Sequence, residues 1–325
     1  MTKIRVLFNI ISNHDLNLII PMVKNLGINS ISIFGTLLYK QLPNYFKIIG
    51  REFDEVVVNL YHTPTYENRA NWKERLISDG ERVIAHLAEF GINRYAWMIE
   101  LNLYGQLFNP LVRKYVNRNK LIHHFNTFYE VAHDVNPNAQ VIVVPYPHNL
   151  MNLNSGIKGW RSWWIKYGEK LKFDLVSLNA HMGTWIPAFT NRMVYTHLIK
   201  SIKFIQNRGY DVYYVEVGYP TVGIGHKPLI GGYGWGREKD QVNMLSICYQ
   251  ALKNLNVPYM QICEFIDPVP KKPQYEVFFS NRGHTPKVMG VPVLEELHWG
   301  LLKNDGSEKL AADLIKKITR KHTNG

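Results

Sequence analysis

The stretch Asp211-Val-Tyr-Tyr-Val-Glu-Val-Gly-Tyr-Pro-Thr-Val-Gly223 joins an apolar strand to a single carboxylate near its end. Valine and tyrosine favour strands that are covered on both faces, and Gly218, Pro220 and Gly223 predict a turn immediately afterwards. A buried strand has little use for a lone acid unless the carboxylate works where the strand ends. The pattern therefore predicts that Glu216 is functional and lies where this strand meets its loop.

The same succession of a short apolar run and a longer amphipathic run repeats along all 325 residues. A helix is predicted after each strand, for example over Thr36 to Ile49, and long loops are predicted at 221–236 and 267–297. Besides the opening stretch, which is the seventh, the predicted strands are Ile4 to Ile11, Ile28 to Phe34, Val56 to Tyr61, Ile92 to Ile99, Val141 to Pro145, Leu175 to Ala180 and Val257 to Ile266.

No linker or change of composition separates these units. Eight strands that alternate with helices predict an α/β fold, a (β/α)8 TIM barrel that forms a single domain over residues 1–325. A doubly wound open sheet is the alternative, but it does not require eight such regular units.

The charge of the chain bears on which kinds of partner it can bind. The net charge is +12 and the isoelectric point is near 9.5, yet the basic residues are scattered, which favours a solvated basic surface over a nucleic-acid interface.

No apolar run is long enough to span a bilayer, and the N-terminus lacks the pattern of a signal peptide. We expect a cytoplasmic protein, although a secreted chain trimmed of its signal would look the same. Cys248 and Cys263 are expected to be buried thiols.

Active sites of (β/α)8 barrels lie at the carboxyl ends of the strands. Glu100 follows strand four and Glu216 closes strand seven, and these strands lie opposite each other in such a barrel. Aromatic and hydrogen-bonding residues accompany them, which suits the apolar faces and hydroxyl rims of sugars. The candidates for substrate binding are His62, Asn179, His181, Trp185, Tyr219, Trp235 and Phe265.

Four motifs, in this order and spacing, resemble a known superfamily. They are Asp174-Leu-Val-Ser-Leu-Asn-Ala-His-Met-Gly-Thr-Trp185, Val215-Glu-Val-Gly-Tyr-Pro-Thr221, Glu264-Phe-Ile-Asp-Pro268 and His298-Trp-Gly-Leu-Leu-Lys-Asn-Asp-Gly306. Together they are similar to the retaining glycoside hydrolases of clan A, which are (β/α)8 barrels. The resemblance covers almost the entire chain.

The resemblance implies that Glu216 is the nucleophile and that Glu100 is the general acid and then the base. It also implies a carbohydrate substrate, with no metal and no cofactor. The chain departs from the clan at Ile99, where most members have Asn, and over Ser30-Ile-Ser-Ile33, where one large member family has Arg. His181 stands where many members place a Tyr near the nucleophile.

Each candidate also has a structural interpretation. Glu216 could pair with a nearby Arg or Lys, His62 and His181 could be hydrogen-bonded wall residues, and a lone aromatic is more often packing than a sugar platform. Trp299 is predicted to open the last helix and to belong to the core.

Three other functions stay open at the level of sequence. Gly231-Gly-Tyr-Gly-Trp-Gly236 is a candidate phosphate loop in an enzyme for a phosphorylated metabolite. His62, His181, Glu100 and Glu216 could instead bind a divalent metal, although no paired ligand spacing supports this. A barrel that binds glycans without turnover is the third alternative.

Overall fold

Eight strands form a closed barrel in the computed structural model. They are β1 (Lys3–Phe8), β2 (Ser30–Thr36), β3 (Glu55–Tyr61), β4 (Arg94–Trp97), β5 (Gln140–Val143), β6 (Leu175–Asn179), β7 (Val212–Val217) and β8 (Tyr259–Cys263). Their order around the barrel is β1-β8-β7-β6-β5-β4-β3-β2. The pairs β1/β8, β8/β7, β3/β4, β4/β5 and β5/β6 are parallel. The predicted (β/α)8 fold is confirmed.

The structure describes residues 2–8, 13–61, 71–98, 118–147, 151–152, 157–182, 186, 188–221, 232–267, 287–288, 291–292, 299–303 and 305–323. The helices within these ranges are α1 (Asn13–Asn25), α2 (Tyr45–Glu52), α3 (Trp72–Ala88), α4 (Arg118–Val135), α5 (Gly159–Lys166), α6 (Asn191–Gln206), α7 (Glu238–Asn254) and α8 (Leu310–Thr323). None of these described helices has both the length and the apolar character to cross a membrane.

Two short antiparallel ribbons lie outside the barrel. Met151–Asn152 pairs with Ile157–Lys158, and Lys287–Val288 pairs with Val291–Pro292. The second ribbon belongs to the predicted loop 267–297, so that loop is not wholly irregular.

The second helix begins later than the sequence predicted. Thr36 still belongs to β2, and its hydroxyl accepts a hydrogen bond from the Leu38 N–H in the turn that follows. Pro43 lacks an N–H and is disfavoured inside a helix. The helix therefore occupies Tyr45–Glu52 instead of Thr36 to Ile49.

The chain divides into two compact units. The first unit comprises Met1–Ile31, Ala180–Asn207 and Tyr214–Gly325. Within it the Thr319 hydroxyl of α8 donates to the Leu26 carbonyl at 2.7 Å, just after α1. Gly27 has φ +72°, and a Cβ there would lie 2.8 Å from Thr319 Oγ1. The predicted glycine stop after the first helix therefore also allows α8 to pack closely.

The second unit comprises Ser32–Asn179 and Arg208–Tyr213. Trp97 of β4 is fully buried and stacks on Phe128 of α4, with ring centroids 4.5 Å apart. Gly80 allows α3 to approach α4, since a Cβ there would lie 2.9 Å from Val131 Cγ1. The prediction that the whole chain is a single domain stays a prediction.

Candidate functional site

Glu216 is the only acid on β7, and all six residues of this strand are buried. Glu216 is 5% exposed and lies one residue before the end of the strand. Valine and tyrosine on both sides of it supply the apolar surface that keeps the strand inside the barrel. The structure thus places a nearly water-free carboxylate at the carboxyl end of a barrel strand.

Gln261 on β8 binds this carboxylate. The two residues are partners in the register of the β7/β8 pair, so their side chains leave the sheet side by side. The amide Nε2 of Gln261 donates to Glu216 Oε2 at 2.5 Å. The other partner of Gln261 in register is Arg5 on β1, which is fully buried and donates from Nε to Ser30 Oγ at 2.8 Å.

His181 approaches the other carboxylate oxygen. It follows β6 by two residues, after Ala180, whose N–H donates to the Glu216 carbonyl at 2.8 Å. The imidazole Nε2 lies 3.4 Å from Glu216 Oε1, and the histidine is 5% exposed. The predicted proximity of His181 to the strand-seven acid is therefore present in the structure.

Trp299 forms an aromatic wall beside His181. Their ring centroids are 4.5 Å apart and the rings are nearly perpendicular, at 87°. A Cβ on Gly218 would lie 2.2 Å from Trp299 Cε3, so glycine after β7 leaves the space that this indole occupies. Trp299 is buried, as predicted, but the predicted helical position is wrong, because the last helix begins at Leu310.

Cys263 also lies close to Glu216. It ends β8, two residues after Gln261, and it is partly exposed and forms no disulfide. The ligand atoms of His181, Glu216 and Cys263 all lie within 4.8 Å of one another. Cys248, the other cysteine, is buried in α7, where burial raises the pKa of its thiol to about 12. Neither cysteine is in a disulfide, as predicted, but Cys263 is not fully buried.

Two side chains next to the strand-seven loop, Tyr219 and Asp240, hold the end of that loop in place. The Tyr219 hydroxyl donates to the Tyr233 carbonyl at 2.6 Å and accepts from the Gly236 N–H at 3.1 Å. The Asp240 carboxylate accepts from the backbone N–H groups of Trp235 and Arg237. Burial raises the pKa of Asp240, but hydrogen bonds from the Arg237 side chain and from these N–H groups outweigh it and hold the pKa below its usual value.

These contacts weaken the phosphate-loop interpretation. The N–H groups of Trp235, Gly236 and Arg237 are the donors that a phosphate would need, and within the described part of the loop they bind Asp240 and Tyr219. An internal carboxylate thus takes the position of the anion, and a second anion beside it would be repelled.

The outcome differs among the predicted substrate-binding residues. Tyr219 and Phe265 are fully enclosed by protein, which argues against direct contact with a substrate and assigns them to support of the site. Trp235 is 46% exposed and open to a ligand. Asn179 ends β6 in the second unit and is 6% exposed. Glu100, His62 and Trp185 lie outside the described residues, so their predicted roles stay predictions.

Three residues near Glu216 were missed as site residues from the sequence alone. Gln261 and Cys263 are two residues apart on β8, so both side chains lie on the same face of that strand. This is the face on which Glu216, the partner of Gln261 in register, lies on β7. A buried glutamine inside the apolar run Tyr-Met-Gln-Ile-Cys was the available signal. Trp299 carried no such signal, since its position depends on the chain's return to the barrel.

The fold and the buried acid define a (β/α)8-barrel protein with a candidate catalytic centre at the carboxyl ends of β7 and β8. Neither a protein-family model nor a curated protein sequence matches the chain. Solved structures do match it in fold.

An exo-β-1,4-mannosidase, Op5Man5 from Opitutaceae bacterium strain TAV5, aligns over 100% of the chain with a TM-score of 0.66 and 10% identity. A β-glucuronidase of Bifidobacterium dentium, complexed with coumarin-3-O-glucuronide, aligns over 98% with a TM-score of 0.65 and 16% identity. A β-glucuronidase of an uncultured Clostridium sp. aligns over 98% with a TM-score of 0.62 and 14% identity.

The chain spans 60%, 46% and 50% of the lengths of these three structures, respectively. At such low identity the likeness shows the (β/α)8 fold, which agrees with the strand order of the barrel.

Proposed function

We propose that this protein is a retaining glycoside hydrolase that cleaves β-glycosidic bonds of an oligo- or polysaccharide, with Glu216 as nucleophile. The observation that carries the proposal is the buried Glu216 carboxylate, which Gln261 binds on one oxygen and which His181 approaches on the other. The structural neighbours named above are β-glycosidases by their names. They support a carbohydrate substrate and a place among the clan A barrels.

In the first step Glu216 attacks the anomeric carbon of the sugar. The bond from that carbon to the leaving oxygen breaks, and Glu100 gives this oxygen its proton, so that a glycosyl ester of Glu216 forms. In the second step Glu100 takes a proton from water, the water oxygen attacks the anomeric carbon, and the ester breaks. The configuration is thereby retained, and neither step requires a cofactor.

The neighbours of Glu216 fit the nucleophile's task. The Gln261 amide holds Glu216 Oε2 in place, which orients Oε1 toward the reacting carbon. The carboxylate is therefore already ordered before the reaction, so less conformational entropy is lost in the transition state. Trp299 packs beside His181 and gives this side of the site an apolar lining. Trp235, on the surface, is a candidate for a more distant sugar unit.

The test begins with turnover. Wild-type protein is assayed on aryl β-mannosides, β-glucuronides and β-glucosides, with and without a chelator. Activity that the chelator does not abolish is expected on at least one β-glycoside, and Glu216→Gln should lower it by orders of magnitude. Glu169→Gln is the control, because Glu169 is a partly exposed carboxylate that pairs with Arg208 and lies outside the barrel strands.

Two further variants assign the roles. Glu216→Gly with azide should yield a glycosyl azide of inverted configuration, since azide takes the space of the missing carboxylate. Glu100→Gln should be slow on poor leaving groups and less impaired on activated ones. Full activity of Glu216→Gln would exclude Glu216 as nucleophile, and glycan binding without any turnover in the wild type would favour the non-catalytic barrel.

A further inference from the structure

The group formed by His181, Glu216 and Cys263 has the donor chemistry of a metal site. It combines an imidazole, a carboxylate and a thiol, which are the three ligand types that Zn²⁺ takes in proteins. All three residues belong to the first unit, and they come from three places on the chain: after β6, on β7 and at the end of β8. No spacing in the sequence predicts this group of three residues, because the fold of the barrel brings them together.

The distances suit one tetrahedral ion. Ligand atoms bound to the same zinc in a tetrahedral site lie about 3.3–3.8 Å apart, given metal–ligand bonds of about 2.0–2.3 Å. His181 Nε2 and Glu216 Oε1 are already 3.4 Å apart, and no pair of ligand atoms in the group exceeds 4.8 Å. A contraction of about 1 Å would therefore bring all three to one ion.

The charge also balances. Neutral His181 with the anions of Glu216 and Cys263 would supply two negative charges to a divalent cation. The thiol of Cys263 would lose its proton to solvent as the sulfur–metal bond forms. Glu216 Oε2 can keep the Gln261 hydrogen bond while Oε1 turns to the metal.

We propose that His181, Glu216 and Cys263 bind a thiophilic divalent cation of the zinc class, and that this cation excludes carbohydrate from Glu216. The exclusion of carbohydrate rests on the proposed function, whereas the binding of the cation does not. Three protein ligands leave the fourth position of the cation to water. The bound ion would occupy the oxygen that must attack the sugar, so it acts as a reversible inhibitor and not as a cofactor.

Binding is tested without any activity measurement. The full chain, reduced and free of oxygen, is titrated with Co²⁺, which reports a thiolate ligand by a sulfur-to-cobalt charge-transfer band. We expect this band in the wild type, its loss in Cys263→Ser, and its bleaching when Zn²⁺ displaces the cobalt. Cys248→Ser is the matched control, since that thiol lies inside α7 and should leave the band unchanged.

A second variant guards against misfolding. Glu216→Gln keeps the thiol, and it should weaken Co²⁺ binding about 10- to 100-fold while circular dichroism shows a folded protein. No band in the wild type, or an unchanged band in folded Cys263→Ser, overturns the metal site. The exclusion is tested by Zn²⁺ inhibition of hydrolysis, reversed by chelator and at least about tenfold weaker in Cys263→Ser. A cobalt band in a protein without hydrolysis would refute the proposed function and leave the metal site standing.

Discussion

Gln261 and Glu216 occupy the same level on neighbouring strands, and the glutamine amide donates to the carboxylate at 2.5 Å. Both side chains are buried, so replacing either one by an apolar residue would remove a hydrogen-bond partner of the other inside the protein core. A hydrogen bond to a charged group in such a place contributes about 1.5–3 kcal/mol. This pair is the local reason why an acid is tolerated on an otherwise apolar strand.

Gln261→Met should therefore impair the proposed reaction more than it impairs the fold. Methionine nearly matches the shape of glutamine but has no N–H, so Glu216 loses a donor that fixes its orientation. We expect kcat/KM to fall about 10- to 100-fold, mostly through kcat. Gln206→Met is the control, because that amide also donates to an oxygen, the Leu255 carbonyl, but lies on α6. Equal effects of the two variants would deny Gln261 a positioning role.

Gly218→Ala should displace Trp299. The new Cβ would lie 2.2 Å from Trp299 Cε3 and 2.5 Å from the Cys263 carbonyl oxygen, closer than atoms can approach. We expect a loss of about 1–3 kcal/mol in the free energy of unfolding and a changed tryptophan signal in near-ultraviolet circular dichroism.

Gly91→Ala is the comparison for that substitution. Its Cβ would meet nothing within 4 Å, but the backbone has φ +72°, so the cost there is conformational, about 1–2 kcal/mol. It should leave the tryptophan signal unchanged. A Gly218→Ala spectrum that also equals the wild type would show that Trp299 is not confined by Gly218.

Lys309→Met should destabilise the fold strongly, because Lys309 is buried and its Nζ donates to Asp267 Oδ1 at 2.7 Å and to Thr221 Oγ1 at 2.8 Å. Burial lowers the pKa of Lys309, and Asp267 opposes that shift. Removing the cation leaves the buried Asp267 carboxylate without its charge partner, which costs about 3–5 kcal/mol. Unfolding in urea at neutral pH measures the loss.

The control for Lys309 is Lys172→Met. Lys172 reaches Glu130 at the same Nζ–O distance of 2.7 Å, but both side chains are about half exposed. Water and salt screen exposed pairs, so they contribute little to stability, and this variant should unfold almost as the wild type does. Similar losses for the two lysines would mean that burial does not decide the strength of the Lys309 pair.

Because the Tyr95 hydroxyl is buried, we expect the protein to lose stability at alkaline pH. Tyr95 is fully buried, its hydroxyl donates to the Ile92 carbonyl at 2.7 Å, and burial raises its pKa from 10.0 to about 12. Below pH 10 the hydroxyl keeps its proton in both folded and unfolded chains. Between pH 10 and about 12 the unfolded chain releases the proton first, so the free energy of unfolding falls as pH rises.

Tyr95→Phe should flatten that fall, after an initial cost of about 1 kcal/mol for the lost hydrogen bond. Urea unfolding at several pH values across this range gives the slope. Tyr195→Phe removes a hydroxyl that binds Asn254 at the surface and serves as the control. If Tyr95→Phe and the wild type lose stability with the same slope, Tyr95 does not contribute to the alkaline limb.

The order of elements could be predicted from the sequence because it is a local property. Apolar runs of strand length and amphipathic runs of helix length alternate, and parallel strands joined by helices have few ways to close. The boundaries were less accurate where one residue decides them, as Pro43 does before Tyr45–Glu52. Glu216 could be found in the same way, since a lone acid within β7 contrasts with its apolar neighbours.

The partners of Glu216 depend on which strands become neighbours and in which register. Gln261 is 45 residues away in sequence and reaches the carboxylate only because β8 lies beside β7 with these two residues level. Trp299 reaches His181 because the chain returns to the barrel after the loop 267–297 and because Gly218 leaves room for its ring. Periodicity along the chain thus determined the barrel and the position of its acid on β7. The closure of the barrel determined that this acid meets an amide, an imidazole and a thiol, because contacts between strands are not encoded in local spacing.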